Sequence, residues 1–217
     1  MPARIVAAVV AALWSLLVLP PQMIVWSGPA GSPRWIRLMN NHDAYDAVRA
    51  ALVGWGIHDH YAAFGVAIVP AMLLVWWATR PALRALGGSG RVLSWALLVL
   101  GPLTALSYLN HDDTAPLRFL WGGEGLLLLL IAGWAVVVAI VAPRGRGIPG
   151  FVRIGLIALG PLAVGATLVG GYWPHATMIG VALSAIVLAL WRPGRGRPAP
   201  SPAAKEAPAD PELSPSA

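Results

Sequence analysis

Hydrophobic residues are arranged along this chain in six long runs that are separated by shorter polar segments. The runs cover about residues 5–26, 61–79, 92–109, 119–142, 154–172 and 174–191. A helix needs roughly 20 apolar residues to cross a hydrocarbon core. The runs are continuous and do not alternate between apolar and polar positions, which favours helices over barrel strands. The pattern therefore predicts an all-α, polytopic membrane protein with about six transmembrane helices.

Composition supports this prediction and divides the chain into two parts. Hydrophobic residues make up 58% of the chain and charged residues 11%, whereas soluble proteins have about 25% charged residues. Residues 1–192 contain all six runs and are expected to form one transmembrane domain. Residues 193–217 are mainly Pro, Ala and Ser, so we expect a disordered cytoplasmic tail that cannot form a core.

The arginines predict how the bundle is oriented. Most of them lie in loops on one side of the predicted membrane, and the other side has only Arg34, Arg37, Arg49 and Arg118. Because positive charge is enriched in cytoplasmic loops, we expect a bacterial inner-membrane protein with both termini in the cytoplasm. Cleavage of the first run as a signal peptide is an alternative, but its apolar stretch extends to about Trp26, which favours an uncleaved anchor.

The longest segment between runs, residues 27–60, is predicted to lie outside the cytoplasm. Its first part, 27–33, is rich in Gly and Pro, which is typical of a loop. Residues 41–53 are predicted to form a short helix at the membrane surface, with Asn41 as its N-cap and with Tyr45, Val48 and Leu52 on one face.

All five histidines lie on this extracytoplasmic side in the predicted topology. Imidazoles bind zinc, copper and iron, so a divalent metal (Zn, Cu or Fe) is a candidate cofactor. The candidate ligands are His42, His111, His58, His60 and His175. Asp43 follows His42 and Asp112 follows His111, so each carboxylate could hydrogen-bond the neighbouring imidazole and orient it. The spacing matches no zinc signature, and a hydrogen-bonded polar network is the alternative.

Three further residues are candidates for chemistry on a substrate. Glu124 stands at the outer start of the fourth run and could be a catalytic acid or base, because an ionisable group there needs a partner such as Arg118 or a histidine. Arg49 and Arg118 could bind an anionic group of the substrate. The alternatives are a Glu124 solvated at headgroup depth and arginines paired with Asp46 or Asp113.

One internal similarity suggests a duplication. Asn41-His42-Asp43, Arg49, Gly54 and Gly56 reappear, each 69 residues later, as Asn110-His111-Asp112, Arg118, Gly123 and Gly125. Asn and His are rare in this chain, so the match is harder to explain by chance than a match of Leu or Ala. We interpret it as a parallel repeat, and ligand sites of membrane proteins often lie between repeats.

These features predict a membrane protein with a His/Asp/Glu cluster at its extracytoplasmic face, and a metal-dependent enzyme acting on a lipid or hydrophobic small molecule is the leading hypothesis. A non-catalytic accessory subunit and a small-molecule transporter are the alternatives. The expected partners are the lipid bilayer and either another membrane protein or further copies of this chain. The scattered basic residues form no nucleic-acid-binding face, and without cysteine no thiolate chemistry is available.

Overall fold

A computed structural model describes residues 2–142 and 148–193, which are all-α and contain no strand. The helices are α1 (Pro2–Gly31), α2 (Arg34–Asn40), α3 (Asp43–Gly54), α4 (His60–Val66), α5 (Val69–Ala85), α6 (Gly88–Leu109), α7 (Gly123–Val141), α8 (Gly150–Gly170) and α9 (His175–Ala189). A 3-10 helix, Arg118–Leu120, precedes α7. The predicted fold class is confirmed. The predicted tail lies outside the described residues from 194 onward.

Within residues 2–142 and 148–193, five stretches are long and apolar enough to cross a membrane. They are Pro2–Gly31, His60–Ala85, Gly88–Leu109, Arg118–Val141 and Gly150–Gly170. The sixth predicted span corresponds to α9, which has only 15 residues. We call the end of the bundle with the five histidines the histidine end, and the end with the turn between α5 and α6 the arginine end.

The short helix α9 lies at the centre of the bundle and packs against α1, α5 and α8. Small residues allow this, because Ala176 and Ala182 are completely buried. A side chain at Gly180 would lie 2.6 Å from the backbone of Ala163 in α8. The outward face of α8 is instead apolar and exposed, with Leu168 79% accessible. Such a face suits contact with lipid, and the close backbone approach is typical of helix packing in membranes.

The second span is broken about one third of the way along its length. Helix α4 ends at Val66, α5 begins at Val69, and Pro70 occupies the first turn of α5. Proline is tolerated there because the first N–H groups of a helix have no partner within it. The sequence predicts one helix over the apolar run 61–79, and the structure instead divides this run between α4 and α5. Trp14 of α1 donates its indole N–H to the carbonyl of Ala67 at the break, at 2.6 Å.

The segment between α1 and α4 is more helical than the sequence predicts. The predicted loop 27–33 is helical to Gly31, with a kink at Gly28 (φ 71°, ψ 170°), and the unpredicted helix α2 follows it. The predicted helix 41–53 is present as Asp43–Gly54, and its N-cap is His42, whose ring accepts from the N–H of Ala44. Asn41 instead follows the last residue of α2.

The two segments of the proposed repeat have different conformations. Arg49 lies in the middle of α3, whereas Arg118 begins a 3-10 helix. Gly54 is the last residue of its helix, whereas Gly123 is the first residue of α7. The structure therefore gives the duplication no support.

Candidate functional site

Three tyrosines and a histidine form a chain of hydrogen bonds inside the histidine end. The hydroxyl of Tyr172 lies 2.9 Å from that of Tyr61 and 2.6 Å from that of Tyr108. The Tyr108 hydroxyl also lies 3.1 Å from Nδ1 of His175. Tyr61 begins the second span, Tyr108 ends the third, and Tyr172 and His175 join α8 to α9. Separate parts of the chain thus meet at one point.

The aromatic rings of this group pack closely on one another. The His175 ring is stacked on Tyr172, with centroids 5.5 Å apart and planes 20° apart, and it meets the edge of Tyr108 at 5.1 Å. Tyr61 contacts Tyr108 and Trp121, and its ring lies 5.0 Å from that of His111. This packing restricts each ring to one position, so the hydroxyl groups are held in place before any ligand arrives.

Glu124 lies beside the same group, in the first turn of α7. Its side chain is only 2% exposed, and the Ser107 hydroxyl lies within hydrogen-bonding reach of its carboxyl group. The chain can turn into α7 because Gly122 adopts a left-handed conformation (φ 79°). A side chain at Gly125 would lie 2.7 Å from the indole nitrogen of Trp173. We call Tyr61, Tyr108, Tyr172, His175 and Glu124 the buried cluster.

Polar atoms in and beside the buried cluster lack partners within the described chain. They are Oε2 of Glu124, Nε2 of His175, and the side-chain nitrogen and oxygen of Gln22. Gln22 lies in α1 and faces Tyr172. Burying a polar group without a hydrogen bond costs roughly 1–3 kcal/mol in proteins, and an ionisable group at this depth is by default a functional candidate. The arrangement can therefore receive the polar group of a ligand.

The five candidate metal ligands are spread over the histidine end. His175 and His111 contact the buried cluster, and Nε2 of His111 lies 3.7 Å from a carboxylate oxygen of Asp59. The remaining three lie elsewhere: His42 caps α3, His58 is exposed, and His60 begins α4. Across residues 2–142 and 148–193, no three His, Asp or Glu side chains are grouped to hold a metal ion. The metal, whether zinc, copper or iron, stays a prediction without geometric support.

The two aspartates that were expected to orient imidazoles make local contacts. Asp43 lies in the first turn of α3 and is exposed. Asp112 accepts hydrogen bonds from the backbone N–H and the hydroxyl of Thr114, at 2.8 and 2.7 Å. These two hydrogen bonds hold the pKa of the Asp112 carboxyl below its ordinary value of 3.8.

The two arginines that were expected to bind substrate form ion pairs at the surface. Arg49 contacts Asp46 at 2.7 Å, and Arg118 contacts Asp113 at 2.9 Å. The Arg118 guanidinium also lies over the ring of Trp121. These are the pairings that the sequence left open as alternatives. In the described part of the chain, none of the recorded ion pairs joins Arg118 to Glu124.

An apolar groove of about 570 Å³ lies next to this end of the bundle. Residues of α1, α2, α3 and α4 line it, and among them are Trp14, Leu38, Tyr45 and Phe64. The hydroxyl of Tyr45 donates to the carbonyl of Leu17 at 2.7 Å, which holds α3 against α1. Phe64 lies one helical turn after Tyr61, so α4 contributes both to the groove and to the buried cluster.

Sequence reasoning missed the three tyrosines and Gln22. The signal was present, because the chain has only four tyrosines and all of them lie at the histidine end. Tyrosine near a membrane boundary is usually an interfacial anchor, so its position alone does not indicate a site. Gln22 was missed because it lies within an otherwise apolar run.

Comparison of this chain with family models, with curated proteins and with solved structures finds no match.

Proposed function

We propose that this chain is an inner-membrane protein that binds a hydrophobic small molecule or lipid at the histidine end, outside the cytoplasm, and exchanges a proton with it. In this proposal the polar group of the ligand enters the buried cluster, where Glu124 and His175 are the groups that exchange the proton with it. The arginine end faces the cytoplasm, because the arginines are concentrated there.

The observation that carries the proposal is the pair of buried, unpartnered atoms at its centre, Glu124 Oε2 and His175 Nε2. Each belongs to a group that can take up or release a proton. Both groups are held by neighbours, Glu124 by Ser107 and His175 by Tyr108. A site of fixed geometry with free donor and acceptor positions is what acid–base catalysis requires.

The tyrosine hydroxyls extend this chemistry, because each can donate one hydrogen bond and accept another. The sequence of contacts runs from Tyr61 through Tyr172 and Tyr108 to His175. A proton delivered at one end can therefore leave at the other by reversal of these hydrogen bonds. Tyr61 also contacts His111, which is partly exposed, so the chain of groups leads towards solvent.

The apolar groove supports a hydrophobic ligand. Its lining is almost entirely apolar, and the volume of about 570 Å³ is within the usual range of roughly 300–1,000 Å³ for small-molecule sites. The groove shares α4 with the buried cluster through Phe64 and Tyr61. A ligand with an apolar body and one polar group would match this pair of neighbouring environments.

The two alternatives receive less support from the described residues. A transporter needs polar groups that line a path, but Ser15, Thr79 and Thr104 each bond a carbonyl of their own helix. An accessory subunit could use the glycines of α8 to pack against a partner. Gly150, Gly160 and Gly165 are open there, whereas side chains at Gly155 and Gly170 would meet neighbours within this bundle.

The reactivity of Glu124 towards dicyclohexylcarbodiimide tests the proposal. This reagent is hydrophobic and modifies carboxyl groups in apolar surroundings. Membranes containing the protein would be treated, digested and analysed by mass spectrometry. We expect modification of Glu124, loss of that modification in Glu124→Gln, and retention in Ser184→Ala. Ser184 is a suitable control because it is also buried and unpartnered but lies about 13 Å further along α9 than His175.

A second measurement concerns the ligand itself. Organic extracts of the purified wild type, Glu124→Gln and Ser184→Ala would be compared by mass spectrometry. We expect one hydrophobic small molecule that is bound to the wild type and to Ser184→Ala and is depleted in Glu124→Gln. An unreactive Glu124 in folded protein, together with identical extracts from all three proteins, would contradict the proposal and leave the buried cluster with a purely structural role.

A further inference from the structure

A second cavity, of about 590 Å³, lies at the arginine end, between α5 and α6. Three arginines line it: Arg80 and Arg84 from the last turns of α5, and Arg91 from the first turn of α6. In the described part of the chain, none of the recorded ion pairs includes any of these three. The cavity therefore combines three positive charges with no recorded carboxylate partner.

The position of Arg80 makes this arrangement unusual. Arg80 lies five residues before the end of α5, which places its backbone about 7.5 Å inside the span. Its Nε atom is buried and has no hydrogen-bond partner among the described residues. The guanidinium lies 5.1 Å from the ring of Trp76, which holds it in place but leaves its N–H groups available. A charge at such a depth is costly unless an anion accompanies it.

The lining changes from charged to apolar with depth. Arg84 and Arg91 lie near the turn between α5 and α6, whereas Trp76 and Leu98 lie further along the two helices. Trp76 is nine residues from Ala85, and Leu98 is ten residues from Gly88, so the cavity extends about 13–15 Å into the membrane. This depth is close to one leaflet of a hydrocarbon core that is about 30 Å thick.

We propose that this cavity binds an anionic phospholipid, with the phosphate between Arg80, Arg84 and Arg91 and an acyl chain against Trp76, Trp95 and Leu98. Arginine binds phosphate through paired N–H groups, and basic pockets between transmembrane helices hold anionic headgroups. Free phosphate would satisfy the same charges. The apolar depth of the cavity favours the lipid, because a free ion would leave that half of the cavity empty.

The test measures the melting temperature of detergent-purified protein after addition of dioleoyl phosphatidylglycerol, of dioleoyl phosphatidylcholine or of sodium phosphate. Only the anionic lipid is expected to raise the melting temperature of the wild type. The variant Arg80→Gln with Arg91→Gln should bind that lipid at least about tenfold more weakly, because charge-assisted contacts are lost. The control Arg4→Gln with Arg34→Gln changes the net charge equally but lies outside the cavity, so it should behave as the wild type.

Native mass spectrometry of the wild type provides a measurement that does not depend on the variants folding. We expect retained phosphatidylglycerol and no retained phosphatidylcholine under equal conditions. Equal effects of the two lipids, or an unchanged response in the Arg80/Arg91 variant, would overturn the proposal. Stabilisation by sodium phosphate as large as that by the lipid would also overturn it, because the cavity would then be a site for a free anion.

Discussion

Replacing Tyr172 by Phe removes the hydroxyl that links the two other tyrosines of the buried cluster. In the native protein it lies 2.9 Å from the Tyr61 hydroxyl and 2.6 Å from the Tyr108 hydroxyl. Tyr108 keeps a partner in the variant, because its hydroxyl also contacts His175. Tyr61 loses its 2.9 Å hydrogen bond, and its buried hydroxyl keeps at most a longer and weaker approach to Tyr108.

The expected magnitude follows from these contacts. Each hydrogen bond contributes about 0.5–1.5 kcal/mol, and leaving a buried polar group unpartnered costs about 1–3 kcal/mol. Tyr172→Phe should therefore lower the free energy of unfolding by about 2–4 kcal/mol. Tyr61→Phe removes a single hydrogen bond at the end of the chain, and Tyr172 retains its bond to Tyr108. That variant should lose only about 1 kcal/mol.

The double variant Tyr61→Phe with Tyr172→Phe distinguishes the two contributions. It has no unpartnered hydroxyl at position 61, so it should be no less stable than Tyr172→Phe alone. The double-mutant cycle should therefore give a coupling free energy of about 1–2 kcal/mol between Tyr61 and Tyr172. The assay is unfolding by sodium dodecyl sulfate in mixed micelles, followed by the fluorescence of the eleven tryptophans. Equal losses in the two single variants, or additive losses in the double variant, would refute the hydrogen-bonded chain.

Two further predictions concern helix packing and a surface turn. Gly180→Ala should destabilise the protein by about 1–3 kcal/mol, since its new methyl group would meet the backbone of Ala163 at 2.6 Å. In Gly160→Ala the new methyl group meets nothing within 4 Å, so this variant should be neutral or stabilising by up to about 1 kcal/mol. Detergent unfolding of both variants would check this, and equal effects would contradict it. The lowered pKa of Asp112 means that folding favours its ionised form. Its contribution to the stability of the turn should therefore be complete above the ordinary pKa of 3.8, and should be lost as the pH falls through the lower pKa of the folded chain. The protection of the Thr114 amide against hydrogen exchange would be measured as a function of pH in the wild type and in Asp112→Asn. The same pH dependence in both proteins would contradict the prediction.

The helical layout of the chain was predictable because it depends on local properties. Continuous apolar runs set the spans, and the α3 helix follows from its polar start and its apolar face. The residues at which individual helices begin and end were harder to predict from the sequence. Pro70 could either kink a helix or begin one, and the structure shows that α5 begins one residue before it, next to the hydrogen bond from Trp14 to the carbonyl of Ala67.

The candidate site was predicted only in part, because residue type and topology give the end of the bundle but not the direction of each side chain. Glu124 and His175 lie in the buried cluster, and the roles assigned to them stay predictions. His42 was assigned to the same centre, yet its ring caps a surface helix, since a histidine before a helix can satisfy a backbone N–H locally. The tyrosines were missed because their hydroxyl groups come within hydrogen-bonding distance only when the fold brings separate spans together.

The most direct test of the buried cluster is solid-state NMR of the protein in lipid bilayers, with ¹³C label on tyrosine alone. The chain has four tyrosines, and Tyr45 on the surface helix serves as an internal reference. The structure predicts through-space ring correlations that join Tyr61, Tyr108 and Tyr172 and exclude Tyr45. Four tyrosines without mutual correlations would contradict the cluster on which the proposed function depends.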